Sequence, residues 1–203
     1  MQVIQILELD RKRVRIRLED GCEFALYKGE KRQYDLQEGG ELSQEQFEDI
    51  RQEILIKRAR KRVMHLLEKM DRTEEQLRVK LRQGCYPEDV IEDAIGYVKG
   101  YHYLDDLRYA QNYVRSHREK KSRRMLQLEL QKRGVAKEWI QQAIEEEYEQ
   151  ENEQEQILKW IRKKDYSSDT ADLKEKQRMY QFLLRRGFRP NDILHALDFE
   201  FPL

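Results

Sequence analysis

The sequence predicts a mainly α-helical fold, an elongated and curved array of three tandem three-helix repeats preceded by a small antiparallel β element. A 15-residue segment occurs three times, at residues 81–95, 130–144 and 183–197, with leucine, a turn residue, isoleucine and alanine at matching positions. The copies lie 49 and 53 residues apart, a period typical of stacked helical units that cannot bury their apolar faces alone. The first 37 residues follow the two-residue period of strands instead.

The N-terminal β element is predicted from this alternation. Within residues 13–18, arginine alternates with valine, isoleucine or leucine, which indicates a strand with one buried and one solvated face. Asp20-Gly21 provides a turn before a further apolar run at residues 22–27. A sheet this small is marginally stable alone, so we expect it to pack on the first helices. Together with a short linking helix it makes up the first predicted domain, residues 1–52.

The rest of the chain is predicted to be helical. Ser43 and Thr73 begin capping boxes, because each is followed three residues later by glutamine. A short helix starts at Ser43, and another runs from about Glu53 to Met70. Asp105 or Asp106 caps the first helix of the middle repeat. The three predicted repeats occupy residues 53–104, 105–150 and 151–203.

Each repeated segment contains a turn between two helices. Gly134 and Gly187 fit the position after a helix C-terminus, where the backbone needs a positive φ. Cys85 stands at this place in the first repeat. Either Gly84 takes over the turn one residue early, or that loop is built differently.

Charge is unevenly distributed along a chain of zero net charge. Lys and Arg number 40, as do Asp and Glu, but residues 51–135 hold 21 basic against 13 acidic residues. Residues 136–156 hold one lysine against eight acids. A basic middle within a neutral chain suits a charged partner, and it equally fits cations that only solvate helix surfaces.

Membrane proteins and enzymes are both disfavoured by the sequence. No apolar run approaches the roughly 20 residues that span a bilayer, and the N-terminus lacks a basic region before a hydrophobic core. No nucleophile with a base, metal cluster or phosphate-binding glycine loop has the expected spacing. The two cysteines and four histidines also lack metal-ligand spacing. We expect a soluble, cytoplasmic protein that is not an enzyme and needs no cofactor or metal.

Basic side chains are the candidate contacts for a charged partner. The densest run lies at residues 115–124, on the loop into the second helix of the middle repeat. Arg82, Lys132 and Arg185 recur at roughly equivalent places, which predicts a stripe suited to phosphate backbones or acidic grooves. The alternative is a set of solvated helix ends, where the C-terminal dipole also favours cations. The candidates are Arg78, Arg82, Arg115, Arg118, Lys120, Lys121, Arg123, Arg124, Lys132, Arg133, Arg185 and Arg186.

Four tyrosines near the start of the middle repeat permit two interpretations. Tyr101, Tyr103, Tyr109 and Tyr113 are interleaved with basic residues, and aromatic side chains in such surroundings can stack on nucleic-acid bases. Tyr109 and Tyr113 are four residues apart on a helix, which favours packing against the core instead. We therefore predict a structural role for these rings.

Part of the middle repeat resembles a known family. Residues 103–116 read Tyr-Leu-Asp-Asp-Leu-Arg-Tyr-Ala-Gln-Asn-Tyr-Val-Arg-Ser, and an arginine pair and the run Leu-Gln-Leu-Glu-Leu-Gln-Lys-Arg-Gly-Val follow at residues 123–135. In these motifs the chain is similar to the RecX regulatory proteins, which have tandem three-helix repeats. The resemblance covers about residues 53–197. It assigns structural roles to Asp106, Tyr109, Ala110, Tyr113, Leu130 and Gly134.

The chain departs from the RecX pattern at three turns. His102 stands where glycine is usual, Lys121-Ser122 replaces a turn that commonly contains glycine, and Cys85 replaces the glycine of its repeat. These departures bear on the local geometry of the turns.

The resemblance implies a non-enzymatic modulator of the RecA recombinase in recombination, DNA repair and the SOS response. Members of the family lodge in the groove of the RecA filament on single-stranded DNA and suppress its ATPase, strand-exchange and coprotease activities. Some also bind single- or double-stranded DNA. We expect a monomer whose contacts include Arg115, Arg123, Arg124, Lys132 and Arg133. The alternative is a stand-alone DNA-binding protein in which the last two helices of each repeat act as a helix-turn-helix.

Overall fold

The computed structural model describes residues 1–148 and 153–198. The chain divides into two compact units, Met1–Asp105 and a second that begins at Asp106. The predicted class is confirmed, because the structure is mainly helical, contains three three-helix repeats and has a small antiparallel sheet at its N-terminus. Within the described ranges, no helix combines the length and apolar character needed to cross a membrane.

The N-terminal sheet has three antiparallel strands in chain order. They are β1 (Val3–Glu8), β2 (Arg13–Leu18) and β3 (Glu23–Tyr27). Ile16 of β2 pairs with Phe24 of β3, and both side chains are fully buried. The arginines of β2 point to the opposite face, as the alternation predicts. Gly21 makes the predicted turn with a φ of 85°.

A short helix that the sequence pattern does not predict follows the sheet. It is α1 (Lys28–Gln33), and it begins directly after β3. Gly29 in its first turn weakens the helix propensity, which hides the signal. Glu30 supports the start of the helix, since its carboxylate accepts a hydrogen bond of 2.7 Å from the backbone N–H of Tyr27.

One continuous helical stretch links the sheet to the first repeat. It comprises α2 (Gln44–Asp49), a π-helical segment (Ile50–Ile56) and α3 (Lys57–Lys69). Ser43 caps α2 through the predicted capping box, with its Oγ accepting from the N–H of Gln46 at 3.1 Å. The sequence predicts two helices here because the π-helical segment interrupts the 3.6-residue period. The wider turn brings both Leu55 and Ile56 into the core.

The first repeat consists of α3, α4 (Glu74–Arg82) and α5 (Glu88–Gly100). Thr73 is buried and caps α4 by the predicted capping box. Pro87 is the N-cap of α5, one position before the first-turn position that proline usually takes. Residues of the sheet and of this repeat form a single hydrophobic core, as expected for a sheet that is unstable alone.

The second unit contains the other two repeats. Their helices are α6 (Asp106–His117), α7 (Arg123–Lys132), α8 (Lys137–Glu147), α9 (Glu153–Lys163), α10 (Leu173–Leu184) and α11 (Pro190–Leu197). Ala110 and Leu130 are fully buried in the core of the middle repeat, while Leu183 and Phe188 lie in the core of the third. Each repeat of this unit therefore buries its own apolar side chains. The predicted domain boundaries stay a prediction.

The turn between the last two helices is alike in all three repeats. Gly134 and Gly187 have φ values of 81° and 88°, and Cys85 adopts the same left-handed conformation with a φ of 56°. Cys85 therefore makes the turn itself, at a cost of about 1–2 kcal/mol for a residue with a side chain. Gly84 is needed for another reason, because a Cβ there would lie 2.8 Å from the ring of Tyr86. His102 likewise has a positive φ, of 57°.

Candidate partner-binding surface

The second unit contains a tight contact between the middle and third repeats. The backbone N–H of Ser122, the N-cap of α7, donates a hydrogen bond of 3.0 Å to the carbonyl of Arg186. Gly187 lies against α7 so closely that a Cβ would stand 2.6 Å from both the Cβ of Met125 and the Oγ of Ser122. The turn between α10 and α11 is therefore held directly at the N-terminus of α7.

This contact gathers basic residues that are far apart in the sequence. Lys120, Arg123 and Arg124 flank Ser122, and Arg185 precedes the carbonyl that Ser122 binds. All four side chains are exposed. None of them forms an ion pair with an acid in residues 1–148 or 153–198. We call Lys120, Arg123, Arg124 and Arg185 the inter-repeat patch.

The position of the inter-repeat patch on the helix adds to its positive potential. A helix N-terminus carries a partial positive charge, so cations in the first turn are unfavourable and anions are favourable. Arg123 and Arg124 occupy the first turn of α7, and that turn contains no acidic residue. A negatively charged partner would relieve both the repulsion between these cations and their conflict with the helix dipole.

Lys132 is exposed but lies apart from the inter-repeat patch. It ends α7, nine residues after Arg123, which separates the two by about 14 Å along the helix axis. The repeat alignment pairs Lys132 with Arg185, yet the structure places Arg185 beside the opposite end of α7. Equivalent positions in successive repeats are therefore not neighbours in this unit.

The candidate arginines of the first unit are held by acids. Arg78 donates to Glu74 at 2.7 Å and to Glu92 at 2.5 Å, and its side chain is only 16% exposed. The hydrogen bond with Glu92 and the partner Glu74 outweigh burial and raise the pKa of Arg78. Arg82 donates to Glu88 at 2.7 Å. These two arginines connect α4 to α5, so their charges are largely neutralised by glutamates of the same repeat.

Three candidates of the middle repeat are also engaged. Arg115 makes a two-pronged ion pair with Glu147 at 2.9 and 2.5 Å, and Arg118 donates to the carbonyl of Glu147 at 2.8 Å. Lys121 binds both carboxylate oxygens of Glu129, at 2.7 and 2.6 Å. Arg115 and Arg118 thus connect the end of α6 to the end of α8, and Lys121 fastens the loop before α7.

The last two candidates stack on aromatic rings. The guanidinium of Arg133 lies 4.7 Å from the ring centroid of Tyr113, and Arg186 lies 3.5 Å from Phe182 and 4.3 Å from Trp160. Burial and the charge of Arg185 lower the pKa of Arg186. Tyr109 and Tyr113 are partly buried and pack against the core of their repeat, whereas Tyr101 and Tyr103 are 59% and 50% exposed. Both arginines support the turns that precede the third helices.

Comparison with known proteins identifies the family. Family models described as the first, second and third three-helix domains of RecX match residues 59–97, 105–144 and 151–197. A protein named regulatory protein RecX from Caldanaerobacter subterraneus subsp. tengcongensis is 34% identical over 164 residues, which cover 80% of this chain and 81% of that relative. The chain belongs to the RecX family. A regulatory protein RecX from Vibrio parahaemolyticus is 35% identical over 139 residues, covering 68% of this chain and 88% of the relative.

Solved RecX structures share the fold of this RecX-family chain. A crystal structure of regulatory protein RecX aligns with a TM-score of 0.56 at 23% identity and covers 97% of this chain and 98% of its own. A crystal structure of RecX from Lactobacillus salivarius aligns with a TM-score of 0.59 at 22% identity over 71% of this chain and 95% of its own. At these identities the likeness supports the fold alone.

The ion pair between Arg115 and Glu147 predicts how the stability of this RecX-family chain depends on pH. The hydrogen bond from Arg115 lowers the pKa of Glu147 below its usual value of 4.5. Since the folded-state pKa is the lower one, Glu147 stabilises the fold above about pH 4.5 and loses this contribution as the pH falls through its folded-state value. We expect the unfolding midpoint in urea to fall modestly between pH 6 and pH 3.5. Glu147→Gln should show a shallower decrease, and an equal decrease in both proteins would contradict the assignment.

Proposed function

We propose that this chain regulates a RecA-type recombinase filament on single-stranded DNA, and that it suppresses the ATPase, strand-exchange and coprotease activities of that filament. The proposal rests first on family membership, since the relatives carry the name regulatory protein RecX. In this proposal the chain is a cytoplasmic monomer that contacts its partner without converting a substrate or using a cofactor. Its place is in homologous recombination, DNA repair and the SOS response.

The inter-repeat patch is the observation that best supports a contact of this kind. Its four cations are exposed and without an acidic partner among the described residues. Such groups remain hydrated in the unbound chain. They attract acidic or phosphate-bearing surfaces over the electrostatic screening length, which depends on ionic strength. The other candidates except Lys132 are engaged in ion pairs, ring contacts or, for Arg118, a hydrogen bond to a backbone carbonyl. We therefore assign the contact with the filament to the inter-repeat patch, with Lys132 as a second, separate contact.

An ATPase assay tests the proposal. Recombinase assembled on single-stranded DNA is titrated with the purified chain, and ATP hydrolysis and co-sedimentation with the filament are measured together. We expect the chain to sediment with the filament and to lower ATP hydrolysis at amounts below one chain per recombinase subunit. Sedimentation without any change in ATP hydrolysis or strand exchange would contradict regulation. Absence from the pellet would contradict filament binding altogether.

A stand-alone helix-turn-helix function has less support, because the helices that would enter the major groove are acidic. In such motifs the last helix reads the base edges and passes close to the phosphates. Among the third helices of the repeats, α5 carries four acids against one lysine, and α8 also carries four acids against one lysine. Phosphates would repel both helices. Base-dependent duplex binding that weakens steeply with salt, in the absence of any recombinase, would favour this alternative over the filament.

A further inference from the structure

The first unit contains a basic cleft that the partner-binding candidates do not include. One of its walls is a face of α3 on which Arg58, Lys61, Arg62 and His65 follow one another at helical spacings of three and four residues. Seven residues of helix span about 10 Å, so the four groups form a short line along the cleft. This arrangement places like charges next to each other on the same helix face, which is unfavourable for an isolated helix.

The opposite walls come from the sheet and from α4. Arg13 and Tyr27 belong to β2 and β3, and Lys80, Gly84 and Tyr86 lie on α4 and the turn after it. The cleft has a volume of about 660 Å³. None of the residues that line it is Asp or Glu, whereas Lys, Arg and His supply six of them. The sheet and the first repeat therefore enclose a space with a strongly positive lining.

Two of these basic residues form ion pairs that stabilise the walls of the cleft. Arg13 donates to Asp10 at 2.8 Å, and Arg58 is paired with Glu30 and donates to the carbonyl of Ala25 at 3.3 Å. Arg58 thereby ties α3 to the sheet and to α1. These acids lie outside the lining of the cleft, so they hold the walls in place without filling the space between them.

The remaining charge is available to a ligand. Lys61 and Arg62 are exposed and form no ion pair within the described part of the chain. Lys80 donates to the neutral side chain of Gln83 at 3.1 Å. His65 lies 3.6 Å from Glu68, which does not line the cleft. Three lysine and arginine side chains thus face the cleft without a carboxylate to neutralise them.

An aromatic ring borders the same cleft. Tyr27 is 43% exposed, and the guanidinium of Arg58 lies 4.7 Å from the centroid of its ring. Tyr86 is deeper, and burial raises its pKa although the nearby charges of Arg58 and Arg62 act in the opposite direction. An exposed ring beside a guanidinium is a surface on which a planar group can stack.

We propose that this cleft binds the sugar-phosphate backbone of a single-stranded nucleic acid, with Lys61, Arg62 and Lys80 contacting phosphates and Tyr27 stacking on a base. Cations along a groove with an adjacent aromatic platform are the two features that single-strand binding combines. An acidic peptide would satisfy the cations but would leave the ring without a planar partner. A concave space of about 660 Å³ admits a short stretch of one strand but is too small for a duplex, whose major groove alone is about 12 Å wide.

The proposal deepens the proposed function, because a regulator that also holds a single strand could act where the filament meets its DNA. It is tested without any recombinase, so either proposal can fail alone. Binding of the full chain to a fluorescent thymidine oligonucleotide is measured by anisotropy across a range of salt concentrations. The variant Lys61→Glu/Arg62→Glu is compared with Arg162→Glu/Lys174→Glu, a control that changes the charge equally at two exposed positions outside the cleft.

We expect the Lys61→Glu/Arg62→Glu variant to bind at least about tenfold more weakly than the wild-type chain, and the control to change by less than about twofold. The slope of log K against log salt should fall by about 1.4 in the cleft variant, since each phosphate contact on a single strand contributes about 0.7. Circular dichroism checks folding, and Lys61→Gln/Arg62→Gln provides a milder variant that should give an intermediate loss. Equal weakening in the cleft variants and the control would overturn the proposal.

The aromatic contact and the class of ligand are tested in the same assay. Tyr27→Leu should weaken binding about fivefold or more, as expected when one stacked base is lost. A uridine oligonucleotide that binds as well as the thymidine one would support a site for the backbone chemistry that both strands share. Displacement by poly-glutamate at the same charge concentration, with no effect of Tyr27→Leu, would identify an acidic peptide as the ligand and overturn the proposal.

Discussion

The substitution Gly187→Ala is expected to lower the free energy of unfolding of the second unit by about 3 kcal/mol. Two effects add at this position. Gly187 has a φ of 88°, where a residue with a side chain is strained, and its new Cβ would lie 2.6 Å from Met125 and from Ser122. The Cβ of Met125 cannot move without the backbone of α7, and the Oγ of Ser122 is held in place because it caps that helix. Urea denaturation followed by circular dichroism measures the change.

Gly39→Ala separates the two effects. Gly39 also has a positive φ, of 77°, but a Cβ there would meet nothing within 4 Å. This variant should cost only the backbone strain, about 1 kcal/mol. If Gly187→Ala proved no more destabilising than Gly39→Ala, the close approach of α7 to the turn between α10 and α11 would be wrong.

The double reversal Arg123→Glu/Arg124→Glu is expected to weaken suppression of the recombinase ATPase by at least about tenfold. Both side chains belong to the inter-repeat patch and lack an acidic partner within the described residues, so their reversal changes a partner contact and not an internal ion pair. Acids are also preferred in the first turn of a helix, which means that the reversal should leave α7 intact or stabilise it. The concentration of chain that halves ATP hydrolysis is the quantity to compare.

A matched reversal at Arg162 and Lys174 serves as the control, because these residues are exposed and lie outside the inter-repeat patch. Its effect on the half-inhibitory concentration should be small. Loss of helicity in Arg123→Glu/Arg124→Glu would show that the two arginines support the fold. Full suppression by a well-folded double variant would remove the inter-repeat patch from the proposed mechanism.

Much of the fold follows from local signals in the sequence. The alternating arginines of β2 and the capping boxes at Ser43 and Thr73 each report a single element, and the structure contains each of them. The helix α1 and the π-helical segment escaped detection because their signals are weak or out of period. Cys85 shows the same limit, since a left-handed turn can be held by the surrounding repeat without a glycine.

The candidate site was less predictable from the sequence. Whether a basic side chain is exposed or paired with an acid depends on residues from other helices. Glu74 lies four residues before Arg78 and could have been paired with it from the sequence. Glu147 lies 32 residues from Arg115, and only the packing of α6 with α8 brings them together. The line of basic residues on α3 does have a local signal, the spacing of residues 58, 61, 62 and 65, but the opposite walls of the cleft come from the sheet and from α4 with the turn after it.

The hydrogen bond from Ser122 to Arg186 has a thermodynamic consequence for any anion that spans the residues around it. Arg123 and Arg185 belong to different repeats, and they are close only while this bond and the packing of Gly187 persist. A ligand that binds both arginines therefore stabilises the contact between the two repeats, and by reciprocity any change that weakens this contact lowers the affinity for the ligand. The stability of the contact between the repeats and the affinity for such a partner are therefore thermodynamically coupled.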